Sequence, residues 1–435
     1  MEEDRIYELV NELWMKRQAD SKFVPGETVI KIGEATYDNE EINAMFKAIL
    51  DGWFAMGKYG KEFESNLSNF IGQKYCALTN SGSSANLLAI ESLIKTGKIT
   101  DGDEVIVNPI TFPTTFRPLV NNGIKPVFVD VDLKTLNFDE EKLKDSVGDK
   151  TKMILAQHTM GIPNNMKLIM DIAEEKNLVV MEDCCDALGS KYDGKNVGSF
   201  GDVSTFSFYV PHHITMGEGG ALVTNELEIM KHARAMRDGG VWQWCDKCND
   251  FVDTRSCPHK LLSIYEGMPE DTHRNFSFHT FGYKVRPMEF QAAMGLVQMR
   301  KLPDFTKRRK DNFEKLVNGI SSLGDYFIFC SGPENSDVNW FGFPFIIKDG
   351  TPFSRLELIE WLEKHKIEPR PILAGNILKH KAAKEFENGF RVAGEMKNSD
   401  KILRDGLFLG VHPGIDDERI NFIIDTFERF IKTRR

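Results

Sequence analysis

The sequence has no run of apolar residues that approaches the roughly 18 uninterrupted residues of a membrane helix. It also has no excess of basic residues, since 55 Lys and Arg stand against 65 Asp and Glu, giving a net charge of −10. An acidic chain has no electrostatic reason to bind DNA or anionic membranes. The N-terminus, MEEDRIYELVNELW, lacks the basic start and apolar stretch of a signal peptide. We therefore expect a soluble, cytoplasmic protein without nucleic-acid or membrane partners.

Cysteines are few and odd in number. The chain has seven, which in a cytoplasmic protein argues against a disulfide framework. Three of them, Cys245, Cys248 and Cys257, are spaced C-x2-C-x8-C in an irregular segment. This spacing needs an explanation other than disulfide bonding.

Short β-rich segments alternate with helical patterns from about residue 40 onward. Strand candidates include YCALTN, EVIVNP, KPVFVDV and LVVMED, and helical patterns cover residues 83–96 and 165–177. Such alternation is typical of βαβ units and a mostly parallel sheet. Ligands bind beyond the carboxyl ends of the strands in sheets of this kind. Polar residues stand at those ends, among them Asp183 and Ser207.

The length of 435 residues predicts two or three domains. Helical spacing near the start indicates an N-terminal helical arm over residues 1–30. We predict a large cofactor-binding domain over residues 31–300. It carries an irregular insertion at residues 241–277, rich in Cys, Trp, Asp, His and Pro. The last segment, residues 301–435, is predicted to form a smaller C-terminal domain.

Three places could carry chemistry. Gly82 permits a tight turn, and Ser83 and Ser84 place hydroxyls and N–H groups at a helix N-terminus, which favours an anion. A plain serine cap is the alternative. Asp183 can pair with a protonated ring nitrogen, a ribose or a metal, or it can cap the next helix. His212 precedes a glycine-rich turn, and a metal site there has little support because adjacent histidines seldom converge on one ion.

An ordered set of motifs resembles the DegT/DnrJ/EryC1 sugar aminotransferase family, from about residue 28 to the C-terminus. The motifs are GSSAN, GDEVIVNPITFPTT, PVFVDVD, EDCCDALGS, SFYVPHH, GEGGALVT and FGYKVRPMEFQAAMG. The resemblance implies the type I fold of pyridoxal phosphate (PLP) enzymes. That is the aspartate aminotransferase-like α/β fold, with a mostly parallel central sheet and a smaller C-terminal α+β domain.

The position of His212 separates this sequence from most of that family, in which a lysine holds PLP covalently. Imidazole cannot form that bond. The stretch YVPHHITMGEGG resembles a subgroup with this exchange, the 3-dehydrases of nucleotide-linked 4-keto-6-deoxyhexoses. The resemblance implies noncovalent pyridoxamine phosphate (PMP), with His212 as the base acting on the cofactor's C4′ proton. It also implies removal of the substrate's C3 hydroxyl in deoxysugar biosynthesis, as for lipopolysaccharide O-antigens. CDP, dTDP and GDP are all compatible with the sequence.

The resemblance also assigns cofactor contacts. It implies that the serines bind phosphate, that the Asp183 carboxylate keeps the pyridine nitrogen protonated, and that an aromatic ring stacks on the cofactor. Asp186 is expected near the ring hydroxyl. The implied cofactor-binding residues of this chain are Gly82, Ser83, Ser84, Phe112, Asp183, Asp186 and Ser207.

Further residues are implied to bind substrate or to complete a partner's site. Lys284 replaces the family's usual Asn, which reaches the cofactor phosphate of the neighbouring subunit, so a homodimer is expected. A lysine can attract the same phosphate by charge. The segment EPRPILAGN resembles the part of the family that meets the sugar nucleotide, which makes Arg370 and Asn376 substrate-binding candidates.

Two kinds of 3-dehydrase are known in the subgroup. One restores PMP with glutamate and contains no iron. The other contains an iron–sulfur cluster and takes electrons from a separate flavin reductase. By resemblance, EDCCDALG supplies Cys185, which with Cys245, Cys248 and Cys257 gives four thiolates for a cluster, expected as [2Fe–2S]. Structural zinc and unrelated free thiols are the alternatives for these cysteines.

We therefore expect the iron–sulfur form of the 3-dehydrase. The iron-free, glutamate-coupled enzyme is the alternative. A sugar aminotransferase and a non-catalytic sugar-nucleotide binder are the remaining hypotheses.

Overall fold

The computed structural model describes residues 2–19, 22–254, 256–261, 265, 267–269, 271–386 and 389–434. Its α-helices are α1 (Glu2–Ala19), α2 (Asn39–Leu50), α3 (Lys58–Ile71), α4 (Gly82–Lys95), α5 (Pro113–Asn121), α6 (Glu140–Ser146), α7 (Met166–Lys176), α8 (Leu227–Arg237), α9 (Glu289–Ile320), α10 (Arg355–Lys364), α11 (Lys397–Asp405) and α12 (Asp417–Lys432). Its strands are β1 (Tyr75–Thr79), β2 (Glu104–Val107), β3 (Lys125–Val129), β4 (Thr151–Gln157), β5 (Val179–Asp183), β6 (Lys191–Tyr192), β7 (Lys195–Asn196), β8 (Val203–Ser207), β9 (Gly220–Thr224), β10 (Trp244–Cys245), β11 (Asp250–Phe251), β12 (Phe327–Phe329), β13 (Ser336–Asp337), β14 (Phe343–Ile347), β15 (Arg391–Ala393) and β16 (Gly406–Leu409).

The central feature is an eight-stranded sheet with the order β1-β9-β8-β5-β4-β2-β3-β15. Strand β9 runs antiparallel to both of its neighbours, and all other pairs are parallel. This confirms the predicted α/β class with a mostly parallel sheet. The carboxyl ends of β4, β5 and β8 therefore meet at one edge of the sheet, where a ligand site is expected.

Both faces of the sheet are covered. Along β5, Val179 and Met181 pack into the core on one face, whereas Val180 packs into the core on the other. Along β4, Ile154 shares the core of Val180. Strands buried on both faces read as continuous apolar runs, which explains why these segments could be recognised in the sequence.

The C-terminal part has its own antiparallel sheet, β12-β14-β16. It packs against α10 and α12 around an aromatic core that includes Phe327, Phe345 and Phe427. Strand β15, however, joins the edge of the central sheet beside β3. The predicted boundary at residue 300 falls inside the continuous helix α9, so the division into domains stays a prediction.

The predicted insertion at residues 241–277 contains a short hairpin, β10–β11, and a 3₁₀ turn, Arg274–Phe276, within its described part. Residues 255, 262–264, 266 and 270 of this insertion lie outside the described residues. None of the helices in the described part of the chain is both long enough and apolar enough to cross a membrane.

Candidate active site

A cleft of about 330 Å³ opens at the carboxyl ends of β4, β5 and β8, beside the N-terminus of α4. It brings together residues that are distant in sequence, as the α/β topology predicts. The predicted catalytic and cofactor residues that line it are Gly82, Ser83, Phe112, Asp183, Asp186, Ser207 and His212.

Asp183 ends β5 at the floor of the cleft. Its Oδ2 accepts hydrogen bonds from Asn86 Nδ2 (3.0 Å) and Thr115 Oγ1 (2.9 Å). Its Oδ1 accepts from the backbone N–H of Cys185 (3.1 Å). The residue is 3% exposed, so these donors rather than water fix the carboxylate. A carboxylate held in this way suits a cationic group on a ligand.

The N-terminus of α4 is capped by Ser81, whose Oγ accepts from the backbone N–H of Ser84 (3.1 Å). Ser83 Oγ forms a hydrogen bond with Thr114 Oγ1 (2.8 Å) and lines the cleft. Ser84 donates its hydroxyl to Asn80 Oδ1 (2.7 Å) and is not among the cleft-lining residues. The predicted anion site stays a prediction; Ser83 of the two predicted serines lines the cleft, and Ser81 lines it where Ser84 was expected.

Because Gly82 has no side chain, neighbouring groups can approach the backbone closely at this end of α4. A Cβ there would come within 2.7 Å of Ser207 Cβ and 2.9 Å of Cys185 Sγ, so no larger residue fits. Ser207 Oγ faces the same space and accepts from the backbone N–H of Tyr209 (3.4 Å). Hydroxyls around the free N–H groups of a helix N-terminus are a ready site for phosphate.

His212 stands in the cleft with one ring nitrogen occupied. Its Nδ1 donates to the carbonyl oxygen of Tyr209 (3.2 Å), which leaves Nε2 free to accept a proton. Nε2 lies 3.7 Å from Asp186 Oδ1, beyond hydrogen-bond distance. Burial lowers the pKa of the His212 imidazole to about 4, so the ring is neutral at pH 7. A neutral imidazole with a free nitrogen is a competent base.

Asp186 faces His212 from the loop after β5, with its side chain 13% exposed. Burial, helped by the charge of Asp183, raises the pKa of the Asp186 carboxyl to about 7. Both effects disfavour the ionised form. The pair therefore consists of a neutral imidazole beside a carboxyl group that titrates near neutrality.

Replacing Asp186 by asparagine is expected to change how stability depends on pH. Because its pKa is raised in the folded state, the Asp186 carboxyl contributes to the free energy of unfolding of the wild type. This contribution is complete below the usual pKa of 3.8 and is lost as the pH rises through 7. Between pH 5 and pH 8, the melting temperature of the cofactor-free wild type should fall by about 3–5 °C relative to Asp186→Asn. Thermal unfolding at both pH values measures this, with the exposed Asp193→Asn as control. A difference that does not change with pH would show that the carboxyl titrates normally.

Phe112 is the N-cap residue of α5 and is 61% exposed at the rim of the cleft. Simple core packing is therefore excluded as the role of this ring. An exposed aromatic face beside a buried carboxylate is suited to a flat heterocycle.

Lys284 does not reach the cleft of its own chain. It is exposed and lines a separate groove with Trp53, Gly57 and Arg286. At this position the side chain is accessible to a neighbouring subunit. Its contact with the partner's cofactor phosphate stays a prediction.

The predicted substrate-binding pair lies outside the lining of the cleft. Arg370 has its side chain 52% exposed and pairs with Glu368. Asn376 is completely buried, where its Nδ2 donates to Asp400 Oδ1 (2.7 Å) and its Oδ1 accepts from the backbone N–H of Leu378 (3.1 Å). Asn376 is thus a cap inside the fold, and its expected contact with substrate stays a prediction.

Sequence reasoning missed Gln157, which ends β4 and lines the cleft. Its Nε2 donates to the carbonyl of Ile110 (3.0 Å), and its buried Oε1 has no hydrogen-bond partner among the described residues. An unsatisfied buried acceptor indicates a missing donor. Its place at the carboxyl end of a parallel strand was the signal that could have identified it.

Three of the four cysteines predicted to bind a cluster lie close together. The Sγ atoms of Cys245, Cys248 and Cys257 and a side-chain nitrogen of His259 all lie within 4.8 Å of one another. Cys185 is not in this group and instead lines the active-site cleft. The donor set that lies within 4.8 Å is therefore three thiols and one imidazole, and the predicted ligand Cys185 is not part of it.

Known proteins are similar to this chain along most of its length. A model of the DegT/DnrJ/EryC1/StrS aminotransferase family matches residues 36–428. The lipopolysaccharide biosynthesis protein RfbH of Salmonella typhimurium is 36% identical over 431 residues, covering 98% of this chain and 97% of that protein.

Two solved structures share the fold. One is the GDP-4-keto-6-deoxy-D-mannose-3-dehydratase of E. coli with bound hydrated PLP, at 32% identity and a TM-score of 0.82, covering 92% of this chain and 100% of that chain. The other is a GDP-4-keto-6-deoxymannose-3-dehydratase with a trapped PLP-glutamate geminal diamine, at 32% identity and a TM-score of 0.80, covering 91% and 99%. On these findings, the chain belongs to the DegT/DnrJ/EryC1/StrS aminotransferase family.

Proposed function

We propose that this protein is a 3-dehydratase of a nucleotide-linked 4-keto-6-deoxyhexose that uses PMP and restores it with glutamate. The observation that carries the proposal is His212, a neutral base with a free Nε2 at the position of the family's cofactor-binding lysine. Relatives with 32% identity named as 3-dehydratases, one holding PLP and one a PLP–glutamate adduct, support the reaction and the amine donor.

The residues of the cleft fit the cofactor. Ser83, Ser207 and the N-terminus of α4 would hold its phosphate, and the Asp183 carboxylate would pair with its ring nitrogen. Phe112 would cover one face of the ring, and the unpartnered Oε1 of Gln157 would accept a donor from the ligand. When bound, the cofactor supplies an electron sink for breaking the C–O bond beside the ketone.

His212 is the group that moves protons. Its Nε2 accepts a proton in the cleft and returns one to the departing C3 hydroxyl, which leaves as water. The hydrogen bond from Nδ1 to Tyr209 keeps the ring oriented and fixes which nitrogen reacts. Because burial lowers the pKa of the imidazole, the ring is neutral at pH 7 and its Nε2 can accept a proton.

The overall reaction balances without iron. Deoxygenation at C3 needs two electrons, and oxidation of one glutamate to 2-oxoglutarate and ammonia supplies both. Each turnover thus gives one 3-deoxy sugar nucleotide, one 2-oxoglutarate and one ammonia. No reductase is needed in this scheme, and no metal takes part in the cleft.

The iron–sulfur form expected from the sequence is the second candidate, and the grouping of Cys245, Cys248 and Cys257 is the observation that favours it. It would need an electron-donating reductase. We do not adopt it, because Cys185 lines the cleft with the cofactor residues and is not in the group that these three thiols form with His259. A sugar aminotransferase is disfavoured because His212 cannot replace the lysine.

Product analysis tests the proposed reaction. The protein is incubated with PMP, glutamate and the CDP-, dTDP- or GDP-linked 4-keto-6-deoxyhexose, and the products are examined by mass spectrometry. We expect one of the three to lose its C3 oxygen and gain no nitrogen. A product that keeps this oxygen and gains an amino group would show an aminotransferase. No product from any of the three, with PMP bound, would favour the non-catalytic binder.

Exposed phenylalanines support a second copy of the chain as a partner. Phe54, Phe276, Phe278 and Phe281 are all exposed, and Phe281 is 99% exposed. Phe276 also lines the groove that contains Lys284. Large apolar side chains that are this exposed are a common feature of surfaces that bind another protein. We propose that a homodimer covers these phenylalanines and brings Lys284 to the partner's cofactor phosphate.

Replacing Phe281 by glutamate is expected to convert the dimer into monomers and to lower turnover at least tenfold, because a charge would be buried in the interface. Light scattering on the eluted protein and a turnover assay measure the two effects. Leu356→Glu is the matched control, since Leu356 is an exposed apolar residue on α10. A monomeric wild type, or a dimeric Phe281→Glu variant, would contradict the interface.

A further inference from the structure

We infer that Cys245, Cys248, Cys257 and His259 bind one zinc ion in the insertion, apart from the active-site cleft. Three thiols and an imidazole offer four donors, and all four donor atoms lie within 4.8 Å of one another. None of these residues lines the cleft. This zinc site goes beyond the proposed reaction, which does not use it.

The separations between the donor atoms match a single tetrahedral ion. Zinc bonds of about 2.3 Å to sulfur and 2.0 Å to nitrogen give edges of about 3.8 Å between sulfurs and about 3.5 Å between sulfur and nitrogen. Cys245 and Cys257 have their Sγ atoms 3.9 Å apart. The Nδ1 of His259 lies 3.8 Å from Cys245 Sγ and 3.5 Å from Cys248 Sγ.

The local fold prepares this arrangement. Cys245 ends β10, and Cys248 lies in the turn that leads to β11, where Asn249 has a φ of +52°. This C-x2-C turn forms one half of the site. The segment Cys257-x-His259 forms the other half, with the backbone N–H of His259 directed at Cys257 Sγ (3.4 Å). Zinc sites are commonly built from two such ligand pairs.

A binuclear iron–sulfur cluster fits this donor set less well. Its four protein ligands are divided between two irons, so ligands of different irons lie farther apart than ligands of one ion. Here all four donor atoms share one small volume. Cys185, which the cluster would need, lies beside Gly82 and Ser207 in the cleft.

Four protein ligands leave no open position for substrate, as in structural rather than catalytic zinc sites. Gln243, Phe251 and Thr254, which flank the ligands in sequence, line the groove that contains Lys284. Binding of zinc would therefore fix one wall of the groove proposed to face the partner subunit. Binding of the ion would therefore couple the folding of the insertion to the assembly of the dimer.

The metal content of the full-length holoenzyme tests this inference. The protein is purified anaerobically and offered zinc in one portion and iron with sulfide in another, and zinc, iron and acid-labile sulfide are then determined. We expect about one zinc per chain and no sulfide in either portion. His259→Ala and Cys257→Ser should lower the zinc content at least about tenfold and speed proteolysis of the insertion.

Two further variants distinguish the residues that bind zinc from residues that do not. His259→Cys should keep the zinc because it restores four donors, and Cys185→Ser should keep it because Cys185 is not a ligand. Iron with sulfide that disappears in Cys185→Ser would overturn the inference, as would wild-type protein that binds no zinc or a His259→Ala variant that keeps it. These measurements need no turnover, so their failure is distinct from failure of the glutamate reaction.

Discussion

Replacing His212 by asparagine is expected to lower kcat by about 10³-fold or more, within the range that removal of a general base produces. His212 is the only imidazole among the described residues that line the cleft, and its Nε2 is the free acceptor. Asparagine keeps a donor for the Tyr209 carbonyl but has no group that accepts a proton near neutral pH. The loss should therefore fall on the chemical step and not on binding.

Cofactor binding by the variant is measured from the absorbance of bound PMP or PLP. The chemical step is measured from its turnover. Cofactor binding should stay within about threefold of wild type, because the phosphate and ring-nitrogen contacts come from other elements. His380→Asn is the control, since His380 is an exposed histidine outside the cleft. Turnover equal to wild type would remove His212 from the mechanism.

Replacing Asp183 by asparagine is expected to lower kcat by about 10²–10³-fold. An amide has nearly the size of the carboxylate, but it carries no charge to keep a ring nitrogen protonated, and the electron sink is weakened. The variant also places an amide among the donors of Asn86, Thr115 and Cys185 that now converge on the carboxylate. Some loss of stability should accompany the loss of turnover.

Two quantities are measured for Asp183→Asn and for the wild type: kcat, and the pH dependence of the bound cofactor's absorbance. We expect the variant's bound cofactor to lose the protonated-ring spectrum at a lower pH than in the wild type. Asp193→Asn, in an exposed turn, controls for the general effect of losing a carboxylate. A kcat within twofold of wild type would show that Asp183 is only a structural acceptor.

Much of this fold could be predicted because buried parallel strands are continuous apolar runs. The same regularity places Asp183 and Ser207 at the ends of β5 and β8, so both were found from sequence position alone. Gln157 has an equivalent position on β4 but was missed, since a glutamine carries no distinctive chemistry until its unpartnered oxygen is seen.

Other residues depend on packing that no sequence pattern shows. Asn376 lies in a motif resembling a substrate-binding segment, yet the chain turns it inward onto Asp400. Cys185 was grouped with the other cysteines because EDCCDALG resembles a family motif, whereas in the structure Cys185 lines the cofactor cleft. His259 was overlooked because a single histidine two residues after Cys257 is not a characteristic zinc spacing until the donor atoms are seen together.

The most direct test of the account is the stoichiometry of the reaction with glutamate alone. The enzyme is supplied with PMP, glutamate and its sugar nucleotide, without reductase or added iron, and three products are counted. We predict 3-deoxy sugar nucleotide, 2-oxoglutarate and ammonia in equal amounts over many turnovers. Deoxygenation that requires a reductase and forms no 2-oxoglutarate would contradict the account and establish the iron–sulfur enzyme instead.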